Sequence, residues 1–192
     1  MNVPHLVTAL KGPLLDLERR VLDAQPAIEH WLRGQMQERT IPFYCSVDLR
    51  NAGFKLAPVD TNLFPGGFNN LSADFTPLAV QAAMSAVEKA CPEASGILLI
   101  PENHTRNTFY LTNVSALANI LRKAGMKVRI GSLLPEITAP TDLALPNGSK
   151  LTIEPLRREG NRVFVDGLDP CVVLLNNDLS AGVPPLLSNL EQ

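Results

Sequence analysis

The run Glu102-Asn103-His104-Thr105-Arg106-Asn107 contains no apolar residue and directly follows the apolar string SGILLIP (95–101). A planar guanidinium such as that of Arg106 grips a carboxylate or phosphate through two parallel hydrogen bonds. His104 can shuttle a proton or bond a phosphate oxygen, with Glu102 placed to fix its tautomer. A longer stretch, SVDLRNAGFKLAPVDTNLFPGGFNNL (46–71), interleaves Asp48, Arg50, Asn51, Lys55, Asp60, Asn62, Asn69 and Asn70 with Val47, Leu49, Phe54, Leu56 and Val59. Short amides supply a donor and an acceptor without a charge to neutralise, which suits a small polar ligand. A third cluster, Asn176-Asn177-Asp178, ends the string CVVLLNND.

Each group has a structural alternative that the residues leave open. Asp and Asn at strand ends also satisfy turn amides or cap helices, and Asn107 or Thr108 suits the cap of a following helix. Gly66-Gly67 fits a tight turn. Arg106 fits a surface ion pair, and Arg50 an internal one with Asp48 or Asp60. His5 and His30 read as incidental. Neither G-x-x-x-x-G-K-[ST] nor G-x-G-x-x-G occurs. No His, Cys, Asp and Glu set has the spacing of a closed metal site, so no metal ligand is assigned.

Positioning these clusters requires strands that end where the clusters begin. Apolar periodicity predicts helices over 13–38, divided near Pro26 because an interior proline lacks the backbone donor and clashes with the preceding turn. Strands are predicted from Pro42 to Asp48 and from Phe54 to Val59, turning at Asn51-Ala52-Gly53. Thr76-Pro77 opens a helix reaching about Cys91, with threonine as cap. SGILLIP suits a buried parallel strand, 108–124 a helix stopped by Gly125, and MKVRIGS (126–132) the next strand, which together form a right-handed βαβ unit. Residues 133–149 read as irregular, 151–167 as a hairpin turning at Gly160-Asn161, and CVVLLNND as a last buried strand. The fold class is α/β: three layers, a largely parallel sheet flanked by helices, with a β-hairpin near 151–166. Ligands of such sheets collect at the carboxyl ends of strands, where the Asp60 to Asn70 loop, the 102–107 run and Asn176-Asn177-Asp178 are expected.

The chain has 192 residues, 45% apolar and 19% charged, with a net charge of −2. That balance favours neither nucleic acid nor an anionic membrane surface. No apolar run approaches a membrane span of about 20 residues. Cys45, Cys91 and Cys171 are widely spaced and form no CxxC, which reads as reduced thiols in the cytoplasm, not a disulfide framework. The N-terminus shows no secretory signal, so the N-x-S/T sequons at Asn70, Asn103, Asn113 and Asn147 carry no glycosylation reading.

The 46–71 string, PENHTRNTFY (101–110), LLNNDLSAGVP (174–184) and the opening VPHLVTALKGPLLDLERRVLDAQPAIEHWLR (3–33) resemble the proteobacterial-type glutamate–cysteine ligases. The resemblance implies an ATP-dependent, ATP-grasp-related enzyme joining the γ-carboxylate of glutamate to the amine of cysteine, the first step of glutathione biosynthesis. It implies ATP and Mg2+ as cofactors and glutamate and cysteine as partners. Members of the family are much longer, so the chain corresponds to an N-terminal, pre-ATP-grasp-like portion, with nucleotide and metal binding expected mostly beyond Gln192. On this reading 1–40 are N-terminal helices, 41–178 a substrate-recognition domain and 179–192 the start of a following segment, and the face of the missing domain is a surface for self-association. Carried onto the matching positions, catalysis falls to His104 and Arg106. Substrate binding falls to Arg50, Asn51, Asp60, Asn62, Asn69, Asn70, Glu102 and Asn107. Arg50 or Arg106 would hold the amino-acid carboxylate, and Asp60 or Glu102 would receive the α-ammonium. The alternative function is a stand-alone, non-catalytic amino-acid-binding domain.

Overall fold

The computed structural model describes residues 12–52 and 55–192. The chain divides into two compact units, Met1–Leu63 and Phe64–Gln192.

The first unit contains two helices and a hairpin. Helix α1 spans Pro13–Asp23 and α2 spans Gln25–Glu38. The break falls at Ala24 instead of at Pro26, because a proline is tolerated in a first turn, where its missing N–H costs no helical bond. Strand β1 (Ser46–Asn51) pairs antiparallel with β2 (Leu56–Asn62). The first strand begins four residues later than Pro42, leaving 42–45 outside it. Gly53 and Phe54, part of the expected turn and strand start, lie outside the described residues, as does the opening through residue 11. The register shifts between Asp48 and Leu49, a bulge that places Asp48 opposite Asp60 and Leu49 opposite Pro58. None of the described residues of this unit is buried.

The second unit is built on a five-stranded sheet. Helix α3 (Thr76–Ala90) leads to β3 (Gly96–Pro101), every residue of which is buried. Thr76 is the first helical residue and Phe75 holds the cap position, one residue earlier than expected. Helix α4 (Thr108–Lys123) then crosses to β4 (Lys127–Ser132), which lies parallel beside β3. Gly125, at φ 91°, supplies the left-handed residue that stops α4. Strand β5 is Thr141–Ala144, β6 is Lys150–Pro155, and a short hairpin of β7 (Arg157–Glu159) and β8 (Arg162–Phe164) precedes β9 (Val172–Asn176). The sheet order is β5-β6-β4-β3-β9, with β9 parallel to β3, β6 parallel to β4 and β5 antiparallel at the edge.

Three expectations are corrected here. The 133–149 stretch is not wholly irregular, because β5 forms within it by pairing with β6. The hairpin is shorter than 151–166: β6 belongs to the main sheet, and only β7 and β8 turn about Gly160-Asn161. The layer opposite the helices is not helical. Leu98 and Ile100 of β3 pack on Val163 and Val165, with Leu156, Leu168, Leu187 and Leu190 against them, so the small hairpin and the C-terminal segment cover that face. Alternation sends Ile97 and Leu99 to the other face, in register with Val128 and Ile130, where α4 packs on β4. Gly131 permits the close approach of Leu156, since a Cβ there would collide with that side chain.

The cysteines are also corrected. Cys91 and Cys171 form a disulfide with Cα atoms 6.5 Å apart, and Cys45 alone is a free thiol. The C-terminal end of α3 and the start of β9, 80 residues apart in sequence, meet only through the sheet, so spacing gave no sign of the pair.

Candidate functional site

Within the second unit the polar clusters gather where β3, β4 and β9 end. Asn103, His104, Thr105, Arg106 and Asn107 line a cleft of about 590 Å3 together with Leu134 and Glu136, which follow β4. Asn107 caps α4, its Oδ1 accepting the N–H of Tyr110 at 3.1 Å, so its side chain serves the helix. Arg106 is exposed and engages no acidic side chain among the described residues, which sets aside the surface ion pair. His104 is exposed and stands edge-on to the Tyr110 ring, centroids 5.7 Å apart.

Tyr110 ties two of the clusters together. Its hydroxyl accepts the Glu102 N–H at 2.8 Å and reaches the Asn176 carbonyl at 2.9 Å and Oδ1 at 3.1 Å. Glu102 Oε1 in turn accepts the Asp178 N–H at 2.9 Å, so that carboxylate latches the end of β9 instead of orienting His104. Asn177 Nδ2 donates to the Pro101 carbonyl at 3.1 Å. The same framework holds the 64–70 loop. Asn176 Nδ2 donates to the Pro65 carbonyl at 2.9 Å, and Asn113 Oδ1 accepts the Phe68 N–H at 2.9 Å. Asn69 and Asn70 stand exposed on that loop, joined by a 3.3 Å amide contact. Asn107, Tyr110 and Asn113 recur every three residues along α4, so one side of this helix organises three chain segments. Asn113 Nδ2 is buried and makes no hydrogen bond among the described residues.

Arg50, Asn51, Asp60 and Asn62 belong to the hairpin of the first unit and are exposed. Asp60 Oδ1 accepts the neighbouring Thr61 N–H at 2.9 Å. Arg50 forms no ion pair with Asp48 or Asp60; it lies in register with Ala57, while the two carboxylates face one another across the strands.

Sequence reasoning missed Tyr110, Asn113 and Glu136. Tyr110 and Asn113 sit in a helix whose apolar periodicity conceals polar work. Glu136 was findable, because it follows β4 as Glu102 follows β3, and the carboxyl-end rule covers both strands. Among the described residues no group of three His, Cys, Asp or Glu side chains gathers to hold a metal ion, and no helix is long and apolar enough to cross a membrane.

A family model described as Glutamate-cysteine ligase (GshA) matches residues 18–192. The fold superposes with a TM-score of 0.86 on a crystal structure from Methylobacillus flagellatus KT, 67% identical, of a protein given the provisional name gamma-glutamylcysteine synthetase. The match covers 100% of this chain and 45% of that one, so the chain spans under half the length of that solved relative. No curated protein matches.

Proposed function

Because the chain belongs to the glutamate–cysteine ligase family, we propose that it carries the amino-acid recognition portion of an ATP-dependent ligase that joins the γ-carboxylate of glutamate to the amine of cysteine. The observation that carries this reading is Arg106: a guanidinium without an acidic partner, lining a cleft at the carboxyl ends of β3 and β4. Such a group binds the carboxylate of an amino acid bidentately and orients it. Asn103 and Thr105 line the same cleft with uncharged donors and acceptors. His104, exposed and edge-on to the Tyr110 ring, is the group suited to contact the transferred phosphoryl or the incoming amine.

Arg50, Asn51, Asp60 and Asn62 are assigned to substrate recognition on the family match, together with Asn69 and Asn70. Glu102 and Asn107 serve the site chiefly by shaping its loops, since each already accepts a backbone N–H. ATP would supply activation of the γ-carboxylate. The described residues gather no metal-holding group, so neither the nucleotide nor Mg2+ is assigned to side chains of this chain. The mixed sheet with its carboxyl-end cleft is read as the pre-ATP-grasp-like part of the family architecture. A cytoplasmic location is part of this proposal, in keeping with a reaction that draws on ATP and free cysteine; the Cys91–Cys171 bond removes the thiol argument for it. A stand-alone binding domain is the less favoured reading, because the family is catalytic.

The test uses the protein expressed from its natural gene, with glutamate, cysteine and ATP. Formation of γ-glutamylcysteine with stoichiometric ADP is expected. Arg106→Ala should lower kcat/KM for glutamate by roughly 100-fold, on the scale of a lost charged hydrogen bond of about 1.5–3 kcal/mol. Arg106→Lys should restore little, because an ammonium lacks the planar fork. Unchanged kinetics in Arg106→Ala would remove its assigned role.

A further inference from the structure

We propose that Glu136 is the carboxylate that receives the α-ammonium of glutamate while Arg106 holds the α-carboxylate. This rests on the ligase reading above. Glu136 and Arg106 line one cleft, yet they form no ion pair with each other, and neither side chain has another partner among the described residues. Two opposite charges facing one space and left unpaired are complementary to a zwitterion. A ligand with both charges satisfies both groups, whereas a simple carboxylate or amine satisfies one.

Both charges stand on loops that follow adjacent parallel strands. Arg106 leaves the loop after β3 and Glu136 leaves the turn after β4, closed by the Ile137 N–H to the Leu134 carbonyl at 3.1 Å. Parallel pairing of these strands from Gly96 with Lys127 to Leu99 with Ile130 locks their ends together. The carboxylates suggested by sequence are less available. Glu102 has one oxygen committed to the Asp178 N–H, and Asp60 has one committed to Thr61. The substrate in question is glutamate, not cysteine. The cysteine amine must attack as a free base, and a carboxylate partner would hold it as the unreactive ammonium.

Titration calorimetry on the protein from its natural gene separates the two charges with three ligands. Glutarate lacks the α-amino group and 4-aminobutanoate lacks the α-carboxylate. Glu136→Gln should weaken glutamate and 4-aminobutanoate at least 10-fold and leave glutarate unchanged. Arg106→Ala should weaken glutamate and glutarate and leave 4-aminobutanoate unchanged. Glu136→Asp should recover part of the glutamate affinity. Unaltered glutamate binding in Glu136→Gln overturns the proposal, and so does an equal loss for glutamate and glutarate, which would report general damage to the cleft. If wild type binds no glutamate, or Arg106→Ala binds it normally, the ligase reading of the cleft fails first, and the two failures are told apart.

Discussion

Arg129 and Glu154 show how much one ion pair can matter in this sheet. The guanidinium makes a two-pronged contact with a Glu154 carboxylate whose side chain is only 6% exposed. Hydrogen bonding to Glu154 raises the Arg129 pKa above the usual arginine value, outweighing the opposing effect of burial. A raised folded-state pKa means that the stabilisation is fully present below the ordinary arginine range and is lost only as pH rises beyond it. The arginine side of the pair therefore stays charged through the ordinary arginine range. Removing one partner strands the other: Arg129→Met leaves a buried unpaired carboxylate and is expected to cost about 3 kcal/mol, the low end for a broken buried pair. Arg129→Met combined with Glu154→Leu should regain most of that loss, because two apolar groups leave no charge without a partner. Urea unfolding midpoints of the single and double variants check the asymmetry, and equal losses in both would contradict it. At the same scale, Arg106 and Glu136 lie at the other extreme, charged and left free, which is why they carry the functional reading.

Among the elements, α4 does more than cover the sheet. Its buried Leu111, Val114, Leu117 and Leu121 pack inward, and its first turns hold the loops of the candidate site. Phenylalanine at Tyr110 would keep the ring against His104 but remove the acceptor for the Glu102 N–H and the donor to Asn176. Tyr110→Phe is expected to destabilise by about 1–2 kcal/mol, the usual cost of an unsatisfied part-buried group. Amide exchange at Glu102 and Asp178 should accelerate more than exchange in β6, which the hydroxyl does not touch. Uniform acceleration would point to global loosening instead.

For the whole molecule, the Cys91–Cys171 bond joins the end of α3 to the start of β9 across 80 residues. On a chain-entropy model a loop of that length contributes up to about 4.5 kcal/mol by restricting the unfolded state. Reduction, or Cys91→Ser, should lower the unfolding midpoint accordingly in a denaturant titration with and without dithiothreitol. An unchanged midpoint would show that packing of the second unit around β3 suffices without the link. The first unit offers no buried residue among those described, so its exposed apolar side chains, Trp31 and Val59 among them, add no comparable core of their own.

Much of the second unit was legible in the chain itself. SGILLIP, the 108–124 periodicity and MKVRIGS predicted β3, α4 and β4 in parallel, because alternation, helical period and a stopping glycine are local signals. The polar run at 102–107 was visible for the same reason: six residues without an apolar member directly after a buried strand. Partnership was not legible, since it depends on which distant segments the sheet brings side by side. Only the tertiary structure decided that Cys91 meets Cys171, that β5 forms against β6, and that β7 and β8 cover the face opposite α4. It alone turned Glu102 into a latch, Tyr110 into a bridge and Glu136 into the neighbour of Arg106 in one cleft. Periodicity reports the environment of each residue along its own element, whereas a binding site is made by contacts between elements.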